Sequence, residues 1–119
     1  MSASRPAARS RSRQVALQVL YALDLSPDKD ADAVFGAFAD HFELPEGARS
    51  YAKQLVTGVA AVRVDLDERI GSCSRNWRIE RMAAVDRNIL RLAAYELTQL
   101  GLPARVAIDE ALELAHQFG

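Results

Sequence analysis

Glu113 and His116 stand three residues apart near the end of the chain, a step that puts two metal-binding side chains on one face of a helix. Carboxylate-bridged dimetal bundles use that unit twice and add a glutamate from each of two further helices. The other histidine, His41, has Phe38 at the corresponding step, so a second unit is missing and Glu113–His116 reads as a solvated pair. Cys73 is the single cysteine; it lies in a Ser-rich stretch with no histidine nearby to activate it, and it reads as an ordinary thiol. Asp65, Asp67 and Glu68 could serve as an acid–base pair, but Arg63 and Arg69 flank them, which is the pattern of a charged, solvated helix face. A glycine-rich phosphate loop, a G-x-S-x-G elbow, an H-E-x-x-H helix and paired cysteines are all absent from the sequence. Its residues argue against an enzyme and assign no cofactor or metal.

The groups that remain are cations. Arg5, Arg9, Arg11 and Arg13 all precede the first acid, Asp24, giving residues 1–23 a formal +4. The eleven Lys and Arg that follow face all sixteen Asp and Glu, so residues 24–119 carry −5 within a total of −1. A basic arm on an acidic body presents two different surfaces, one of them suited to a polyanion. An organellar transit peptide has the same Ser-, Ala- and Arg-rich, acid-free composition. A secretory signal fits less well, because Gln18 and Asp24 interrupt the apolar stretch. If helical, Arg9 and Arg13 share a face one turn apart while Arg11 points nearly opposite, an arrangement that grips a flexible strand from two sides. Tyr21 lies two turns beyond Arg13, where it serves either as a half-buried core tyrosine or as a platform for an unpaired base.

Those side chains need a scaffold, and apolar spacing supplies one. The 119 residues make one domain of 50% hydrophobic but only 7% aromatic residues, helix-rich proportions, with no apolar run of membrane-spanning length. The lone cysteine suits a reducing cytosol. From about Ala8 to Asp24, Ala16, Val19, Leu20 and Leu23 share one face, widened by Leu17, and Ser26-Pro27 ends the run. A short amphipathic helix follows between Ala31 and Phe42, with Val34 or Phe35, Phe38 and Phe42 inward. The steps Tyr51, Leu55, Val59, Val62, Leu66 and Ile70 predict one long helix from Pro45 to about Ile70, and a loop begins at Gly71. The stretch from Ile79 to Leu100 reads as a single helix, the most buried of the chain, stopped by Gly101-Leu102-Pro103. The last segment puts Ala107, Ala111, Leu114 and Phe118 on one face. The expected class is an all-α bundle of five or six helices.

Four stretches, in this order, resemble the NusB family of transcription antitermination factors. They are Arg13-Gln-Val-Ala-Leu-Gln-Val-Leu-Tyr-Ala-Leu-Asp24, Leu55-Val-Thr-Gly-Val59, Asp86-Arg-Asn-Ile-Leu-Arg-Leu-Ala-Ala-Tyr-Glu-Leu97, and Val106-Ala-Ile-Asp-Glu-Ala-Leu-Glu-Leu-Ala115 with Phe118-Gly119. The resemblance implies an all-α fold of two packed three-helix subdomains over residues 1–119, with residues 1–13 as a basic arm leading into the first helix. It implies a cytoplasmic, non-enzymatic protein that binds single-stranded boxA-type RNA of ribosomal RNA operons. NusE, a small-subunit ribosomal protein, is the implied partner, and the pair joins an RNA polymerase antitermination complex. By the same resemblance Arg9, Arg11 and Arg13 match the family's arginine-rich RNA-binding start, and Tyr21 an aromatic at the RNA-facing end of that surface. Asp86 falls at the junction of NusE and RNA, and Arg87 beside it on the exposed side, as an RNA contact. Some relatives self-associate through the surface they offer to RNA, which leaves a homodimer open. NusB-like domains also precede the catalytic domain of ribosomal RNA cytosine methyltransferases, the alternative reading.

Two departures qualify the match. Arginine alternates with serine here as RSRSR, where some relatives have contiguous arginines. Relatives also continue past the Phe-Gly position into a further helix with an Asn-Gly-Val-Leu-type motif, so the second subdomain is expected to be truncated at residue 119.

Overall fold

The computed structural model describes residues 5–73 and 78–119, with side chains from residue 8 onward. Among the described residues the structure is all helical: six α-helices, one 3₁₀ turn and no strand. The chain divides into two compact units, residues 1–60 and 61–119. Of the loop expected over residues 71–76, residues 71–73 are helical instead, and 74–76 lie outside the described residues, as do residue 77 and residues 1–4.

In the first unit, α1 spans Arg5–Leu25. It starts earlier than the apolar stripe alone predicts, because Pro6 falls in the first turn, where its missing N–H has no intrahelical partner to lose. Ala16 and Val19 are fully buried, and Leu17, Leu20 and Leu23 are nearly so. Burial does not stop at the apolar residues, however: Ser12 and Arg13 are 0% and 3% exposed. The inward face therefore runs on into the arginine-rich segment. Among the described residues, eight of α1 and six of the shorter α5 are buried, so α1 is buried to about the same extent as the segment expected to be the most buried.

Helix α2, Ala31–Ala39, opens on Asp30, whose carboxylate accepts the Ala33 N–H at 3.0 Å. Phe35 rather than Val34 is its buried anchor, and Phe42 falls beyond its end. Helix α3, Glu46–Ala61, buries Ala48, Ala52, Leu55, Val56 and Val59. The single helix expected over 45–70 is in fact two, parted at Val62, and α4 runs Arg63–Cys73. The apolar stripe keeps its step through a one-residue interruption, and with neither glycine nor proline at 62 the spacing carries no sign of the break.

In the second unit, the helix expected from Ile79 is also divided. Ile79–Arg81 forms a 3₁₀ turn, Met82 and Ala83 are extended, and α5 spans Ala84–Thr98. Past α5 the backbone turns at Gly101, whose φ of 67° is left-handed and free of cost only without a Cβ. There the Leu102 N–H reaches back to the Glu96 carbonyl at 3.0 Å. Helix α6, Ala104–Phe118, buries Ala107 and Leu114 against this unit, while Phe118, expected inward, is exposed. Between α4, α5 and α6 lies an apolar groove of about 700 Å³ walled by Ile70, Met82, Leu90, Leu97, Ile108 and Leu112.

Candidate nucleic-acid interface

Helix α1 places the three described arginines of the arm differently. Arg9 is exposed, and its guanidinium carbon sits 4.8 Å from the centroid of the Tyr51 ring of α3. Arg13, one turn on, lies 5.9 Å from the same ring but is buried. Arg11 points to the other side and is exposed. The expected split between Arg9/Arg13 and Arg11 is thus present, with one difference: Arg13 faces the interior rather than solvent. Its position between Ser12 and the buried Ala16 explains this, since the core stripe passes through it.

Ser12 fixes the register of the arm. Its hydroxyl, wholly buried, lies 2.7 Å from the Ala48 carbonyl of α3 and 3.0 Å from the Ala8 carbonyl one turn back. A small side chain with one donor fits this crossing, whereas a guanidinium does not. The serine at position 12 is in that sense structural: the crossing takes the small residue there, while Arg9 and Arg11 stay exposed.

Other cations of this unit are drawn towards neighbours. Arg49 lies over the Phe35 ring at 5.9 Å and 3.6 Å from Asp40, and Lys53 stands 3.8 Å from Asp32. Neither Arg9 nor Arg11 has a carboxylate partner among the described residues. Two uncompensated, exposed guanidiniums, each with planar donor edges, can bind phosphate oxygens bidentately. Tyr21 is 40% exposed, about 12 Å along the axis from Arg13 at 1.5 Å per residue. Its ring is open to stacking.

In the second unit, Asp86 occupies the first turn of α5 and is exposed. Arg87 is half-buried, and its Nη1 donates to the Met82 carbonyl at 3.0 Å, holding the extended residues ahead of the helix. Behind it, Arg91 is 6% exposed and reaches across to Asp67 of α4. The sequence pattern treats Asp67 as part of a solvated charged face; Asp65, paired with Arg69 at 3.0 Å, and Glu68 are exposed as that description requires, and Asp67 is the exception. The other candidates stand apart: Glu113, His116, His41 and Cys73 are each exposed, and no group of three ligating side chains gathers among the described residues.

One side chain beside the candidate arginines is not marked by the sequence pattern. Tyr51 counts in the sequence as a step of an apolar stripe, and only the fold shows two arginines of another helix converging on its ring.

The NusB family model matches residues 10–119. Transcription antitermination protein NusB of Solibacter usitatus is 47% identical over 115 residues, covering 94% of this chain and 77% of that protein. The NusB of Anaeromyxobacter sp. (strain Fw109-5) is 42% identical over 111 residues, covering 93% and 78%. Among solved structures, NusB of T. maritima superposes with a TM-score of 0.83 at 28% identity, over all of this chain and 81% of that one. A chain from the crystal structure of a plectonemic RNA supercoil gives the same TM-score at 26% identity, covering 94% and 82%.

Proposed function

This chain belongs to the NusB family, and from that we propose that it is a transcription antitermination factor that binds single-stranded boxA-type RNA with its N-terminal helix and pairs with NusE. The observation that carries the reading is the exposure of Arg9 and Arg11, without carboxylate partners among the described residues, on a helix rooted in the core by Val15 to Leu23. Such a helix offers cations at fixed positions, so less side-chain order is lost when a strand is gripped.

The parts divide the work. Arg9 and Arg11 meet phosphate and release its counterions, an attraction without sequence information. Tyr21 stacks on an unpaired base, and Arg87 adds a cationic edge beside Asp86. Asp86 and the acidic balance of residues 24–119 suit a basic ribosomal protein, NusE, as the partner. The pair then joins RNA polymerase in the cytoplasm during transcription of ribosomal RNA operons. The methyltransferase alternative has less support, because the chain already spans 77–78% of its curated relatives, which leaves no room in them for a catalytic α/β domain.

Binding of boxA-like RNA, measured with and without NusE and against a scrambled oligonucleotide, tests the reading. The expected result is a preference for boxA that grows when NusE is added. Equal affinity for both sequences, unchanged by the partner, overturns it.

A further inference from the structure

Two arginines of α1 share one aromatic ring of α3, a geometry more specific than a basic arm requires. The Arg9 and Arg13 guanidinium carbons stand 4.8 and 5.9 Å from the Tyr51 centroid. Two like charges this close repel, and they are held together by what lies between and behind them. The negative face of the ring attracts both. One turn away on each helix, the buried Ser12–Ala48 hydrogen bond closes the crossing. Arg13 is enclosed at 3% exposure, whereas Arg9 is exposed. A guanidinium stacked by its face keeps its N–H edges directed away from the ring.

We propose that Tyr51 is the positioning residue of the arm: it holds Arg9 over α3 so that a single-stranded RNA phosphate meets a preset cation. This rests on the RNA-binding reading above and adds to it the residue that sets the cation's place. Tyr51 does not touch the RNA. It acts on binding through the fraction of Arg9 held in the competent arrangement, and apparent affinity scales with that fraction. A cation–π contact at an exposed site biases such a population by about two- to fivefold, which sets the size of the effect.

The test uses the whole chain and a boxA-like single-stranded RNA. Tyr51→Phe keeps the ring and Tyr51→Leu removes it while keeping apolar bulk. In the RNA-free protein, ring current shifts the Arg9 δ-protons upfield in the NMR spectrum; the shift persists in Tyr51→Phe and disappears in Tyr51→Leu. Tyr51→Leu weakens RNA binding about two- to fivefold with the salt slope unchanged, since both phosphate-binding arginines remain. Tyr51→Phe binds as the parent does. In an Arg9→Ala background, where the slope itself falls by about 0.7 for one lost phosphate contact, Tyr51→Leu adds less. A parent-like affinity for Tyr51→Leu alongside a weakened Arg9→Ala overturns the positioning role and leaves the arm's RNA role standing. Unchanged binding by both Arg9→Ala and Arg11→Ala overturns the RNA reading, and the role of Tyr51 in it.

Discussion

Arg91 of α5 grips Asp67 of α4 with two parallel hydrogen bonds, Nε to Oδ1 at 2.7 Å and Nη2 to Oδ2 at 2.9 Å, while its Nη1 donates to Asn88 Oδ1 at 3.1 Å. The arginine side chain is 8% exposed and the aspartate 25%. Removing one partner strands the other charge in a poorly hydrated place. Asp67→Ala should cost on the order of 3 kcal/mol, the low end for a buried pair because the carboxylate keeps some water. A lowered urea midpoint at constant m-value checks this. Arg91→Lys should lose much of the same stability, since an ammonium cannot supply the fork.

The three arm arginines should separate by assay. Arg9→Ala and Arg11→Ala together should flatten the log–log salt dependence of RNA binding by about 1.4, or 0.7 per contact, and leave the melting temperature nearly unchanged. Arg13→Ala should instead lower the melting temperature, because its stem is packed inside. A double variant that retains the parent slope removes the arm from the interface.

Ser12→Ala should destabilise by about 1 kcal/mol through the lost hydrogen bond to Ala48. Ser12→Arg, which would make residues 11–13 contiguous arginines, should cost upwards of about 3 kcal/mol by forcing a charge into a site with no exposure. Thermal unfolding of both variants measures the difference. Tolerance of arginine at 12 would mean that the crossing of α1 and α3 is looser than the hydrogen bond indicates.

Tyr21→Ala should weaken RNA binding by about 1–3 kcal/mol, the cost of one lost base stack. Stability should change little, because the ring is already 40% exposed. The opposite pattern, intact binding with a lowered melting temperature, would return Tyr21 to the core.

Gly101→Ala should destabilise by about 1–2 kcal/mol. No atom stands within 4 Å of the added methyl, so the cost comes from the φ of 67° alone. Gly101→Asn should lose less, since asparagine visits this region more readily, and chemical denaturation ranks the two.

The sequence makes the helices legible where a stripe is long and punctuated: Pro27, Gly101 and Pro103 mark ends that the structure keeps. It misses the break at Val62 and the extended Met82–Ala83, because apolar period records which side faces inward and not whether the axis is continuous. The candidate arginines were nameable from composition, and helical geometry set Arg9 and Arg13 apart from Arg11 without showing which of them is buried. That Arg13 is interior, and that Asp67 belongs to Arg91 across 24 residues, depends on which helices meet. Tyr51 was hidden for the same reason, its neighbours on α1 being about 40 residues away in the chain.

The inward face of α1 carries Ser12 and Arg13 on the same helix that leaves Arg9 and Arg11 exposed, so proposed grip and foundation are one rod. Whatever loosens the foundation at Val19 or Leu20 frays the grip, and whatever seizes the grip tightens the foundation. If RNA binds there as proposed, RNA at a hundred times its dissociation constant should add about 2.7 kcal/mol to the apparent stability of the first unit, provided it binds only the folded form. On the RNA-binding reading proposed above, the transcript would act on this protein as a brace as well as a target.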